Sequence, residues 1–269
     1  MARLFLIKAN NHLITEFQAY PIMTIKKLIP LFFVLTLIAC KKHKTTPLNL
    51  ETRVINFTTT SYQALGTFDS LGTPDYLLTK ESISSSLLSF IDNTLPNGVD
   101  LRNRNPKLLN TSAILNITQP SDVYVTFVSQ GSGYSNTLAF YTYPTNTAPT
   151  SSDDIKTITY IFPNSGTLTT LVPGDKVKIG RFDAGISIGF VLLENSWINA
   201  KGTINNSAVH FCSNDVLNPE VDTRLQKHAV LFNYSPENKI LIGFEDVDRT
   251  KPECDHDFND VVFYCTVTP

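Results

Sequence analysis

Short runs of alternating apolar and polar residues recur from about Thr111 onward. They are Ala113–Ile117, Val123–Val128, Thr137–Tyr143, Ile158–Phe162, Lys176–Ile179, Ile186–Leu193, Ala208–Cys212, His228–Phe232, Ile240–Glu245 and Val261–Val267. Gly, Pro, Asn and Asp cluster between them, so each run reads as a strand closed by turns. Many short strands with turn signals predict a mainly β fold, an antiparallel β-sandwich or jelly roll. Val54–Thr60 alternates in the same way and predicts a further strand, while Ser61–Tyr76 reads as irregular. A different period follows. Thr79 is placed to cap a helix, Ile83, Leu87, Leu88 and Ile91 fall at helical spacing, and Pro96-Asn97-Gly98 ends it. That stripe predicts a small N-terminal helical segment packed on the sandwich.

One apolar run fits neither period. Leu28–Ala39 is too short to span a bilayer comfortably as a helix. It follows Met23-Thr24-Ile25-Lys26-Lys27 and ends at Ala39-Cys40. A basic stretch, an apolar stretch and a small residue before a cut site make an export signal. With Cys40 next, it resembles the bacterial lipobox, which implies a lipid-modified Cys40 as the mature N-terminus. The complete signal beginning at Met23 places the expected start there rather than at Met1. The expected organisation is residues 1–39 as upstream residues plus signal, 40–60 as a lipid-anchored tether, 61–109 as a helical or irregular segment and 110–269 as the β-sandwich. Removing residues 1–39 takes away Arg3, Lys8, Lys26 and Lys27 against Glu16 alone, so 22 basic and 24 acidic residues become 18 and 23. A mildly acidic mature chain argues against nucleic acid as a partner. The expected location is exported, anchored by lipid in the bacterial outer membrane or cell envelope, with Lys41-Lys42-His43-Lys44 as a solvated basic tail.

With Cys40 acylated, Cys212, Cys254 and Cys265 remain, enough for one bridge at most. Cys265 reads as a small core residue, and Cys212 and Cys254 are the pair available to bridge, with connectivity open. Gly131-Ser132-Gly133-Tyr134-Ser135-Asn136 matches neither a nucleophile elbow nor a dinucleotide loop and reads as a tight turn, with Asn136 as a cap or ligand. Asp69-Ser70-Leu71 resembles an O-glycosylation acceptor of exported bacterial proteins. Trp197, the one tryptophan, and the same-face pair Tyr141 and Tyr143 are candidate ligand contacts for a sugar ring; the competing readings are core packing for Trp197 and a half-exposed β face for the tyrosines.

The candidate chemistry lies at the end of the chain. Ile240–Phe244 leads into Glu245-Asp246, and Asp255-His256-Asp257-Phe258-Asn259-Asp260 leads into the last apolar run. In an antiparallel hairpin the end of one strand lies beside the start of the next, so both acidic sets meet at one rim. Calcium takes six to eight oxygen ligands, and alternating Asp255, Asp257 and Asn259 with Asp260 suit that demand. Glu245, Asp246, Asp255, Asp257, Asn259 and Asp260 are therefore the candidate calcium ligands. Unneutralised, these carboxylates would raise one another's pKa. The loop is not an EF-hand, since Asp260 stands where that motif has Gly and Thr266 where it has Glu. The competing reading is a solvated acidic turn capping its own backbone. Zinc through Cys254 and His256 lacks a second ligand pair, and His256 reads as a solvated side chain.

Gly243-Phe244-Glu245-Asp246 with Asp255-His256-Asp257-Phe258-Asn259-Asp260-Val261-Val262-Phe263 resembles the C-terminal signature of the domain of unknown function 4114 family. Ile188-Gly189-Phe190-Val191-Leu192, Leu217-Asn218-Pro219 and His228-Ala229-Val230 fit the same pattern, over roughly residues 110–267. The resemblance implies a β-sandwich with a calcium site in an exported, surface-associated protein, including LruC-like lipoproteins. The Arg usual between the two Asp residues is His256 here. Three functions are open: a calcium-stabilised binding or adhesion module with a protein or glycan ligand, a carbohydrate-binding module, and a glycan-active hydrolase. The acids form one cluster rather than flanking a bond, no catalytic motif surrounds His210 or His228, and a non-enzymatic module is the expectation.

Overall fold

The computed structural model describes residues 46–269. The signal, Cys40 and Met23 lie outside the described residues. The strands in chain order are β1 (Ser61–Ala64), β2 (Leu115–Ile117), β3 (Ser121–Gln130), β4 (Thr137–Pro144), β5 (Thr157–Phe162), β6 (Lys176–Phe182), β7 (Ile186–Leu193), β8 (Trp197–Ile198), β9 (Thr203–Ile204), β10 (His210–Cys212), β11 (Ala229–Tyr234), β12 (Lys239–Phe244) and β13 (Val261–Thr268). One sheet runs β1-β5-β4-β7-β10, with β2 also on β7; the other runs β11-β12-β13-β3-β6. All pairings are antiparallel except β1 with β5. Mainly β architecture in two antiparallel sheets is thus what the alternation predicts.

The interior between the sheets is apolar. Leu138, Phe140, Phe190 and Leu192 come from one sheet, and Val125, Phe127, Ile242 and Phe263 from the other. Both outer faces are also covered, which is why β7 reads Phe190-Val191-Leu192-Leu193 without alternation. Helix α1 (Ser85–Thr94) lays Leu87, Ile91 and Leu95 on Val230, Leu241, Val262 and Tyr264 of the second sheet. Phe57 and Leu217 help cover Ala139, Tyr141, Val191 and Leu193 of the first.

Three local expectations change. The helix is capped by Ser84, whose hydroxyl accepts from Leu87 N at 3.0 Å, and not by Thr79. Residues 78–81 lie outside the helix: Leu78 N donates to Lys176 O and Glu81 N to Gly174 O, while the Glu81 carboxylate holds Lys176 and Lys239. Val54–Thr60 has no strand partner; Phe57 stacks on His210, ring centres 4.3 Å apart, and the pairing shifts to Ser61–Ala64, read above as irregular. Cys212, Cys254 and Cys265 are all free and buried in different surroundings, so no bridge forms. The β8–β9 hairpin has no periodic signature because each strand is two residues long.

A short turn and a second helix, α2 (Leu101–Arg104), follow α1 and tie the helical segment to the far end of the chain. Leu101 N donates to His256 O at 2.9 Å, and Gly98 N to the Asp257 carboxylate at 2.7 Å. Above β12, the Phe258 carbonyl crosses so closely that a Cβ on Gly243 would lie 2.3 Å from it and 2.5 Å from Leu95 Cδ1. Gly243→Ala is therefore expected to lift the loop and destabilise the fold by about 1–3 kcal/mol, the usual cost of overpacking. Urea unfolding checks it, and an unchanged midpoint would contradict the close approach.

Candidate metal centre

The β12–β13 connection, residues 245–260, is long, and its Glu245, Asp246, His256 and Asp257 are buried. Its first turn is fixed by the sheet. Phe244 pairs with Val261, Asp260 N donates to Phe244 O at 3.0 Å, and Asp246 N donates to the Asp260 carboxylate at 2.8 Å. Glu245 N donates to His228 O on the neighbouring strand at 2.9 Å. The two acidic ends are thereby held at one rim.

The second half of the loop is held by Phe258, which is fully buried against the α1 face and lies under the Arg249 guanidinium at 5.1 Å. His256 and Phe258 both take left-handed backbone, φ +61° and +60°. A bulky aromatic residue adopts that region only where its surroundings enforce it. Asp257 N donates to the Asp255 carboxylate at 3.3 Å and Asn259 N to Asp257 at 3.0 Å.

The resulting cluster has Glu245 at its centre. Glu245 is 1 % exposed, and its Oε2 has no hydrogen-bond partner. Oxygens of Glu245, Asp255 and Asp257 lie within 4.8 Å of one another, and so do those of Glu245, Asp246 and Asp260. Asp246 is further held by Ser132 Oγ and by Nδ2 of Asn136, the residue marked in that turn as a cap or ligand. The Asn259 amide oxygen packs against Gly131, where a Cβ would meet it at 2.5 Å.

Burial pushes the Glu245 carboxyl up to about 7 and, with Asp246 and Glu245 beside it, the Asp260 carboxyl up to about 10. Burial likewise raises Asp246 and Asp257. These are the carboxylates that crowding was expected to perturb, and loss of water is the larger cause.

A ring of buried groups braces the rim. His228 Nδ1 lies 2.9 Å from Glu245 O and must donate to it, since a carbonyl only accepts. Its Nε2 meets Glu220 at 2.8 Å, and Glu220 accepts from Arg249 N at 3.1 Å. Arg249 Nη1 donates to Lys227 O at 2.9 Å. His256 is buried rather than solvated: Arg249 Nε donates to its Nδ1 at 3.2 Å, and Cys254 Sγ lies 3.1 Å from the same nitrogen. Burial, and then Arg249, lowers His256 to about 4. A guanidinium aimed at Nδ1 leaves that atom unsuited to zinc. Glu220 and Arg249 carry no sequence signal, because lone charged residues in loops are common.

The aromatic candidates do not form a platform. Tyr141 is 2 % exposed, its hydroxyl bonded to Asn214 at 2.6 Å; Trp197 is 3 % exposed, packed edge-on to Phe68 and bonded to Asn199. Tyr143 is half-buried, stacks on Tyr141 and accepts from Asn214 at 3.1 Å. Core packing is the reading that holds for this set. A cleft of about 390 Å³ does open beside the rim, lined in part by Tyr134, Glu194, Val209, Asp248, Lys251 and Glu253.

A family model described as Domain of unknown function (DUF4114) matches residues 182–268. The match spans β7 to β13 and the whole rim, and begins well after residue 110. No curated protein and no solved structure matches the chain.

A carboxyl with a raised folded pKa binds a proton that the unfolded chain has lost, so stability falls as pH rises from the unfolded value toward the folded one. For Glu245 that window is about pH 4.5 to 7. His210 and His256, both lowered to about 4, act oppositely below pH 6.5, so the comparison must be between variants. In chelator, Glu245→Gln is expected to match the wild type near pH 5 and to be the more stable at pH 8, by thermal unfolding. A less stable variant at pH 8 would contradict the account.

Proposed function

We propose that the chain is a lipid-anchored protein of the bacterial cell envelope whose β-sandwich is stabilised by calcium and serves as a non-enzymatic binding or adhesion module. The observation that carries the reading is the Glu245 carboxylate, buried and half unpartnered at the centre of four further carboxylates. It is 1 % exposed, and among the described residues no cationic side chain forms a salt bridge with it, so a bound cation would stabilise its ionised form. The donors are all oxygen, which favours a hard ion, and the irregular set of carboxylates suits calcium better than octahedral magnesium. Weak calcium sites are those of extracellular modules, in keeping with the export signal read in Met23–Cys40.

The ion has a structural role in this reading. It holds Asp246 and Asp255, the two ends of the 247–254 loop, and that loop forms one wall of the cleft. The exposed rim and cleft then present the contact surface for a protein or glycan ligand. The acids lie in one cluster suited to an ion, and the Ser132 hydroxyl beside them is already engaged by Asp246.

Calcium a hundredfold above its Kd would add about 2.7 kcal/mol, which for a fold of this size is a rise of roughly 5–10 °C in Tm. Differential scanning calorimetry with calcium and with chelator measures it, and Glu245→Gln should abolish the response. Equal midpoints in both conditions would overturn the calcium reading. For the anchor, Cys40→Ser is expected to lose labelling by a fatty-acid analogue and to move the protein from membrane to soluble fractions. An unchanged distribution would contradict lipidation at Cys40.

A further inference from the structure

We infer that the rim holds two divalent cations, bridged by Glu245, rather than one. The inference rests on the cation reading of the rim given above. Ligand oxygens on one calcium stand 2.3–2.6 Å from it, so two oxygens on the same ion are at most roughly 5 Å apart. Within 4.8 Å the five carboxylates do not gather as one set. They fall into two sets of three, Glu245 with Asp255 and Asp257, and Glu245 with Asp246 and Asp260. Glu245 alone belongs to both.

The second observation is the orphaned Oε2 of Glu245, on a side chain 99 % removed from solvent. A carboxylate has two oxygens and can give one to each ion. The hydrogen bonds around the cluster leave room for this division. The Asp246 bonds from Ser132 and Asn136 both go to Oδ2, and Asp260 accepts from Asp246 N through Oδ2, so one oxygen of each is left. Asp255 uses only Oδ1 in accepting from Asp257 N. Asp257 accepts one backbone N–H at each oxygen, from Asn259 and from Gly98, and would bind through a remaining lone pair.

Charge points the same way. Among the described residues, the only buried guanidinium beside the five carboxylates is Arg249. With all five ionised, one divalent ion leaves the cluster negative.

The two positions differ in access. The set with Asp246 and Asp260 is enclosed by Ser132 and Asn136. The other includes Asp255, the one exposed member of the cluster. An inner ion and an outer, more readily exchanged ion follow from that difference.

Native mass spectrometry and calcium equilibrium dialysis of the full chain count the ions. The expected result is two calcium ions per wild-type chain and one in Asp255→Asn, a variant at an exposed position whose fold circular dichroism checks. Glu245→Gln should bind none with comparable affinity. One ion per wild-type chain, or two retained in Asp255→Asn, would overturn the bridged pair while leaving a single-cation rim intact. No ion in the wild type would overturn both readings.

Discussion

A buried carboxylate without a partner is among the most costly features a fold can carry, and the C-terminal half of this protein is arranged around one. Glu245 follows β12 directly, with its backbone N–H bonded to His228 O just before β11 and its side chain enclosed. Its neighbours do not neutralise it; Asp246, Asp255, Asp257 and Asp260 add to the charge. The segments that shape the rim come from distant parts of the chain: the turn after α1 reaches Asp257 and His256, and the Gly131–Asn136 turn reaches Asp246 and Asn259. A site with ligands and braces this widely separated in sequence couples its occupancy to the global fold.

That coupling explains why the motif pieces are spaced as they are. Asn218 bonds both backbone groups of Cys212 and the Gln226 carbonyl, which sets the Glu220–His228 pair beneath the rim. His228 bonds the Glu245 carbonyl. Phe190 packs on Phe263 across the sandwich. The Phe190, Asn218, His228 and Glu245 segments therefore form one bracing network. Residues 182–268, the stretch matched by the family model, contain all of it. The partners from β3 and α1 lie outside that stretch.

The sheets were legible in the sequence because alternation and turn residues report burial directly. β7 was found with both ends in place, since an apolar run between Gly185 and Glu194 has few other readings. The helix was legible in its face but not its start: Thr79 and Ser84 are equally good caps by type, and backbone pairing to residues 174–176 decided between them. At the site the acids were legible as a cluster, because hairpin geometry brings chain-adjacent strand ends together. Their division into two sets and the bracing by Glu220 and Arg249 were not. Those depend on left-handed backbone at His256 and Phe258, which no pattern of residue types announces. Tyr141 and Trp197 misled for a related reason: periodicity assigns a face to a residue but cannot say whether another segment covers that face.

The central claim is that a cation, and not a proton or a side chain, completes Glu245. Crystals of the protein grown with a lanthanide in place of calcium test it most directly, through the anomalous difference map at the rim. The account requires a peak within bonding distance of a Glu245 carboxylate oxygen, about 2.3–2.6 Å for a calcium-sized ion. The same fold with no peak there, and Glu245 hydrogen-bonded to a neighbouring carboxyl as a protonated acid, would contradict it.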